Sequence, residues 1–295
     1  FLQVKAMTIA TIDIGGTGIK FASLTPDGKI LDKASTPTPE TLEDLLAWLD
    51  QRLSERDYRG IAMSVPGAVH QEIGVIEGIS AIPYIHGFSW YEALSHHKLP
   101  VHLENDANCV GLSELLAHPE IENAACVVIG TGIGGAMIIN GKLHRGRHGL
   151  GGEFGYMTTI EPAEKLNNWS QLASTGNMVR YVIEKSGQTD WDGRKVYQEA
   201  ATGNALCQEA IERMNRNLAQ GLLNIQYLID PDVISLGGSI SQNPDFIKGV
   251  QKAVDAFVER YEEYTIAPVI QACTYQADAN LYGALVNWLQ EENQW

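Results

Sequence analysis

Apolar and polar residues alternate over residues 8–14, a period-two pattern that predicts a strand. Glycines at positions 15, 16 and 18 interrupt it. The apolar pattern resumes over residues 19–24, and Pro26-Asp27-Gly28 predicts a turn before Lys29-Ile30-Leu31. The same punctuation returns about 115 residues later. Residues 127–129 read as a strand, 130–135 as a glycine turn and 136–139 as a second strand. Asn140-Gly141 follows as a hairpin turn before Lys142-Leu143. Two matched copies imply an internal duplication of a supersecondary unit.

Gly130, Gly132 and Gly135 also satisfy G-x-G-x-x-G after the β-like run at 126–129. A dinucleotide-binding turn must open a helix, whose N-terminus holds the pyrophosphate. Here a strand and a hairpin follow, so that reading fails on context. Elsewhere helical spacing covers residues 41–53, after a start signal at Thr38-Pro39-Glu40. Strands are predicted over 60–65, ending in Pro66-Gly67, and over 101–104. Asn105-Asp106 leads into a helix over 107–117, and a long amphipathic pattern spans 205–228. A strand over 233–236 then ends in Gly237-Gly238-Ser239. Alternating strands and helices predict an α/β protein. His118-Pro119 marks a boundary between a domain over residues 7–118 and a second over 119–279, with a terminal helix at about 280–295 crossing back to the first. Residues 1–6 precede Met7, which reads as a natural start, and are set aside as an expression remnant.

Glycine turns allow backbone N–H groups to approach a phosphate, and successive amides form an anion-binding nest. Each hairpin alone reads as an ordinary tight turn. Two matched copies and a third glycine pair favour a nucleotide clamp. Its candidates are Gly15, Gly16, Thr17 and Lys20 in the first copy, Thr131, Gly132 and Gly134 in the second, and Gly237 with Gly238. Asp13, beside the first turn, is the candidate for Mg²⁺, directly or through water. Asp106 has two readings: a cap for the helix behind it, or a carboxylate that orients a nucleophile.

A formal charge of −15 sets nucleic acid and anionic membranes aside as partners, since both would repel the chain. No run of eighteen apolar residues is present, which sets aside membrane insertion. Cys109, Cys126, Cys207 and Cys273 are widely spaced and form no C-x-x-C pair, which predicts free buried thiols in a reducing cytoplasm. Asn168-Trp169-Ser170 matches a glycosylation sequon, read as chance in a chain without an export signal.

DIGGT at 13–17, LENDAN at 103–108, VVIGTGIGG at 127–135, GGEFGYM at 151–157 and DPDVISLGGS at 230–239 stand in the order seen in sugar kinases of the ROK family. The resemblance spans nearly the whole chain. It implies two actin/hexokinase-like (ribonuclease H-like) α/β domains flanking a cleft, with ATP and Mg²⁺ as nucleotide and cation and a sugar as acceptor. Some members are repressors with an N-terminal helix-turn-helix. The short run before DIGGT leaves no room for one and favours the kinase branch. The resemblance makes Asp106 the general base and Asn105 a ligand of the neighbouring hydroxyl. It places Glu153 on hydroxyls near the anomeric end, and Pro66-Gly67 where backbone approaches the sugar. A homodimer in the cytoplasm is also implied.

The chain departs from the family at one place. Many members carry E-x-G-H and a following cysteine cluster that together hold a structural zinc. Here Tyr156 replaces the histidine, and EPAEKLNNWSQLASTG replaces the cysteines. Zinc needs three or four nitrogen or sulfur ligands at close quarters, so no structural zinc is expected in the protein. His144 and His148 read as loop histidines. The pattern resembles that of ROK β-glucoside kinases. It implies phosphorylation of the 6-hydroxyl of a glucose unit in a β-glucoside such as cellobiose. Glucose, fructose and N-acetylhexosamines remain alternative acceptors, and a non-catalytic sugar-binding regulator an alternative of another class. Tyr156 offers a flat ring to the sugar. Tyr84, Phe88, Trp90 and Tyr91 read either as a stacking surface for a second ring or as core.

Overall fold

The computed structural model describes residues 7–158, 167–261, 263 and 265–295. Residues 1–6 and most of the EPAEKLNN part of the segment that replaces the family's cysteines lie outside the described residues. In chain order the first elements are β1 (Ile9–Ile14), β2 (Gly18–Leu24), β3 (Ile30–Pro37), α1 (Leu42–Ser54), β4 (Gly60–Val65), β5 (Ala68–His70) and β6 (Val75–Glu77). Next come α2 (Trp90–Ala93), β7 (Val101–Asn105), α3 (Asp106–Ala117), β8 (Ala124–Ile129), β9 (Ile133–Ile139) and β10 (Lys142–Leu143). The chain continues through α4 (Trp169–Ala173), α5 (Thr175–Ser186), α6 (Gly193–Ala201) and α7 (Ala205–Ile229). It ends with β11 (Val233–Gly237), α8 (Pro244–Arg260), β12 (Ile270–Ala272) and α9 (Ala279–Glu291).

These elements fall into two compact units. The first comprises residues 7–120, 145–150 and 277–295, and the second residues 121–144 and 151–276. The short return of 145–150 to the first unit has no counterpart in the sequence pattern.

In the first unit the sheet runs β3-β2-β1-β4-β7. The pairs β1–β2 and β2–β3 are antiparallel, and β1–β4 and β4–β7 are parallel. The register sets Asp13 opposite Ser64, Ser64 opposite Glu104, and Val65 opposite Asn105. The carboxyl ends of the parallel strands therefore carry the glycine turn, Pro66-Gly67 and Asn105-Asp106. That edge is where open α/β sheets bind ligands. Helix α9 closes the back of this sheet: Leu281, Leu285 and Trp288 are buried with Ile9, Ala22, Ala62 and Cys109. Gly283 allows this packing, since a Cβ there would lie 1.7 Å from the Cys109 carbonyl oxygen.

The second unit repeats the plan. Its sheet runs β10-β9-β8-β11-β12, with antiparallel pairs on the β8 hairpin side and parallel β8–β11 and β11–β12 pairs. The apolar face of α7, including Leu218, Leu222 and Ile225, is buried in one core with Val127, Ile234 and Leu236. The glycine turn is shorter than the sequence predicts. It ends at Gly132, while Gly134 and Gly135 lie in β9, paired with Val128 and Val127. Strand pairing takes both glycines because Ile133 and Ala136 are buried on either side of them. A Cβ at Gly135 would sit 2.5 Å from Phe154 and 2.7 Å from the Gly152 carbonyl, so that glycine serves close packing.

All four cysteines are buried and unbridged. Among the described residues no helix is long and apolar enough to cross a membrane.

Candidate active site

In the first unit, β7 delivers Asn105 and α3 begins with Asp106. The helix cap is Asn105: its side-chain oxygen accepts the N–H groups of Ala107 at 2.9 Å and Asn108 at 3.2 Å. Its amide nitrogen donates to the Gly67 carbonyl at 3.1 Å. Gly67 adopts φ +102°, and a Cβ there would lie 2.7 Å from the Glu77 carbonyl oxygen. Asn105 thus ties the turn after β4 to the start of α3. Asn105 supplies the cap, and the Asp106 carboxylate accepts the Ala107 N–H on Oδ1 at 2.8 Å. Burial pushes the Asp106 carboxyl above the usual carboxylate range. The nearby Asp13 charge adds to the rise, and the Ala107 N–H opposes it.

Asp13 is buried, and both of its oxygens are engaged. Lys20 Nζ donates to Oδ2 at 3.2 Å, and Asn280 Nδ2 donates to Oδ1 at 2.8 Å. Lys20 Nζ also donates to the Ala277 carbonyl at 2.6 Å. In the turn beyond, Gly15 N–H donates to the Gly18 carbonyl at 3.1 Å, and Thr38 Oγ1 donates to the Gly15 carbonyl at 2.6 Å. Gly16 and Thr17 are exposed. A carboxylate offers about four lone-pair sites. Asp13 retains capacity to meet the water shell of a hydrated Mg²⁺, and this donor set fits an outer-sphere role better than direct ligation.

Glu104, within the LENDAN motif but given no role by the sequence reading, proves central. It is 2% exposed. Its Oε1 accepts the Asn105 N–H at 2.8 Å and Asn108 Nδ2 at 2.9 Å, and its Oε2 accepts Arg145 Nε at 2.6 Å. Arg145 also donates to Asn287 at 2.7 Å and Glu291 at 3.0 Å, in α9. The structural contribution of the HRGRH segment is thus Arg145, one of the two arginines between its histidines.

In the second unit Gly130, Thr131, Thr175, Gly176, Asp192 and Ser239 line one pocket. Gly238, at φ +89°, makes this convergence possible, because a Cβ there would lie 2.1 Å from the Ile129 carbonyl. The second and third glycine candidates are thereby brought together. An adjoining pocket is lined by Arg194, Tyr197, Ile240 and Asn243 together with Asp192 and Ser239. Thr175, Asp192 and Arg194 lie outside the glycine motifs. A signal for Thr175 existed: Ser174 caps α5, accepting the Asn177 N–H at 3.1 Å, and a helix N-terminus favours anions. Gly134, paired in β9, stands apart from the turn, whereas Thr131 and Gly132 are exposed on it.

Glu153 precedes a 3₁₀ turn (Phe154–Tyr156) and is half-buried. Tyr156 is 72% exposed. The other aromatic stretch belongs to the core. Trp90 is fully buried and donates to the Ile85 carbonyl at 3.1 Å, and Phe88 packs against it at 5.1 Å between ring centroids. The hydroxyls of Tyr84 and Tyr91 donate to the Pro39 and Gln71 carbonyls.

Residues 9–291 match the model of the ROK family. The chain belongs to the ROK family. It is 34% identical to a β-glucoside kinase of Listeria monocytogenes over 98% of this chain and 99% of that one. The crystal structure of a ROK family protein from Streptococcus pneumoniae TIGR4 in complex with sucrose is 89% identical, with a TM-score of 0.96 over 98% of this chain and 100% of that one. A ROK hexokinase from Thermus thermophilus is 25% identical, with a TM-score of 0.84 over 97% of this chain and 100% of that one. The fold is that of the actin/hexokinase-like ATPases, and the enzyme class is sugar phosphotransferase.

Proposed function

We propose that the enzyme uses ATP to phosphorylate the 6-hydroxyl of a glucose unit in a β-glucoside such as cellobiose, with Asp106 as general base. The observation that carries the catalytic part is the division of labour between Asn105 and Asp106: the asparagine caps α3, and the aspartate stands at the first position of that helix with its pKa raised by burial. The β-glucoside part rests on the relative of that name and on Tyr156 in place of the family's histidine. The sucrose bound by the pneumococcal relative supports an acceptor site that admits two sugar rings.

Phosphoryl transfer passes through a loose transition state, so the protein's work is positioning and charge stabilisation. Asp106 accepts the proton of the 6-hydroxyl as that oxygen bonds to the γ-phosphorus. The bond from phosphorus to the β,γ-bridging oxygen breaks, and ADP leaves. Asn105 and the Gly67 backbone orient the neighbouring hydroxyls, and Glu153 binds near the anomeric end. In the first unit Gly16 and Thr17, exposed in the turn, offer backbone N–H groups to a phosphate beside Lys20; in the second unit Thr131 and Gly132 do the same beside Gly238. Asp13 is the residue that would hold Mg²⁺, through water, and the bound cation would supply charge neutralisation to the phosphates.

A coupled ADP-release assay over glucose, fructose, N-acetylglucosamine, cellobiose, gentiobiose and sucrose tests the reading. The expected result is a kcat/KM for cellobiose or gentiobiose above that for glucose. A glucose kcat/KM far above every disaccharide would remove the β-glucoside assignment and leave a glucokinase. No phosphorylation of any sugar would favour a sugar-binding regulator.

A further inference from the structure

We propose that Asp50, His96 and His97 form a binding site for a borderline divalent cation of the Zn²⁺ class, on the first unit and outside the catalytic machinery. Asp50 stands on α1, between the buried Leu49 and Leu53. His96 and His97 stand on a 3₁₀ turn (Ser95–His97) that follows the buried Leu94 and ends at Lys98 in the left-handed region, φ +54°. Both imidazoles aim Nε2 at the same carboxylate oxygen: His96 Nε2 lies 3.0 Å and His97 Nε2 2.7 Å from Asp50 Oδ1. The rings lie 4.1 Å apart between centroids. The ligand atoms of all three side chains fall within 4.8 Å of one another.

That convergence is what a cation needs. Zinc takes imidazole nitrogen and carboxylate oxygen at about 2.0–2.2 Å, which puts neighbouring ligand atoms about 3.4 Å apart in a tetrahedron. The observed separations need only a small opening. Exposure of His96 and Asp50 makes that movement cheap, while His97, at 16% side-chain exposure, anchors the set. Two nitrogens and one oxygen suit Zn²⁺, Ni²⁺ or Cu²⁺, and not the all-oxygen shells of Mg²⁺ and Ca²⁺. Water supplies the remaining position. On binding, each ring gives up its Nε2 proton contact to Asp50, carries its proton on Nδ1, and turns the Nε2 lone pair to the cation. The cation then clips α1 to the turn ahead of β7, linking segments 46 residues apart. A species that binds only the folded state stabilises it by mass action.

Full-length protein stripped with EDTA and dialysed is titrated with ZnCl₂ by calorimetry, without nucleotide, and its Tm is measured with Zn²⁺ and with Mg²⁺. The expected result is a saturable Zn²⁺ equivalent and a Tm rise of a few degrees. Both are lost in His97→Ala and Asp50→Asn and kept in a His144→Ala/His148→Ala control, and Mg²⁺ produces neither. Circular dichroism and sugar phosphorylation by His97→Ala at wild-type levels establish that the variant is folded. Should that variant misfold, the exposed His96→Ala replaces it. Equal Zn²⁺ uptake by the wild type and the Asp50 and His variants would overturn the site, as would the absence of saturable uptake in the wild type.

Discussion

Arg145 donates through Nε to the buried Glu104 at 2.6 Å, joining the 145–150 segment to the residue directly before Asn105. Glu104 uses its other oxygen to hold the Asn105 backbone and the Asn108 side chain. The pair therefore fixes the first turn of α3, on which Asp106 stands. Arg145→Met leaves the carboxylate buried with amide donors alone, and stranding one member of a buried pair costs about 3 kcal/mol. Urea unfolding is expected to show a loss of that size. The double variant Glu104→Gln/Arg145→Met is expected to lose less than the sum of the singles, since no charge is left stranded.

Asp106→Asn removes the proposed general base and is expected to lower kcat about 10²- to 10⁴-fold, with sugar binding largely kept. The same substitution bears on stability. The folded Asp106 pKa is raised, so the folded state binds this proton more tightly than the unfolded chain. The ionised residue therefore opposes folding above the unfolded-state pKa, and the cost fades as pH falls toward it. Asp106→Asn is expected to raise Tm at neutral pH, with the gain shrinking in acid. A scan of Tm against pH for both proteins checks the sign; a lower Tm at neutral pH contradicts it.

Much of this arrangement was legible in the sequence. Glycine punctuation read off as two hairpins became two sheets of matching strand order, because Gly, Asn-Gly and Asp-Gly constrain the local backbone directly. Asn105-Asp106 stood out as a helix start, although which residue capped the helix depended on side-chain direction. Glu104 and Arg145 were opaque for a different reason. Their pairing joins positions 41 residues apart, and no local period reports such a contact. The Phe88-Trp90 cluster had the composition of a binding surface, and only burial assigns it to the core. Asp192 and Arg194 reach the second unit's pockets through tertiary packing of α6, which is equally invisible to spacing.

Gly238→Ala tests the nucleotide side. Alanine at φ +89° is strained, and its Cβ would strike the Ile129 carbonyl at 2.1 Å, displacing β11's end from the β8 turn. The expected outcome is a KM for ATP raised at least tenfold with the sugar KM little changed, measured by initial rates over both substrates. Equal change in both constants would indicate a general folding defect.

Asp13 and Asp106 are electrostatically coupled, and this gives a directional test of the base. Since the base must be ionised, kcat/KM for the sugar is expected to fall on the acid side with an apparent pKa above the ordinary 3.8 of an aspartate. Part of that elevation comes from the negative charge of Asp13. Asp13→Asn removes this charge and leaves the Lys20 ammonium, which Asp13 had met at 3.2 Å, without its counter-charge. Both changes favour ionised Asp106, so the acid limb is expected to move to lower pH in Asp13→Asn. The same variant is expected to need more Mg²⁺ for half-maximal turnover, because the amide holds a cation's water shell less strongly. A pH–rate profile at saturating Mg²⁺ separates the two effects. An acid limb that stays in place would show that the group titrating there is not Asp106.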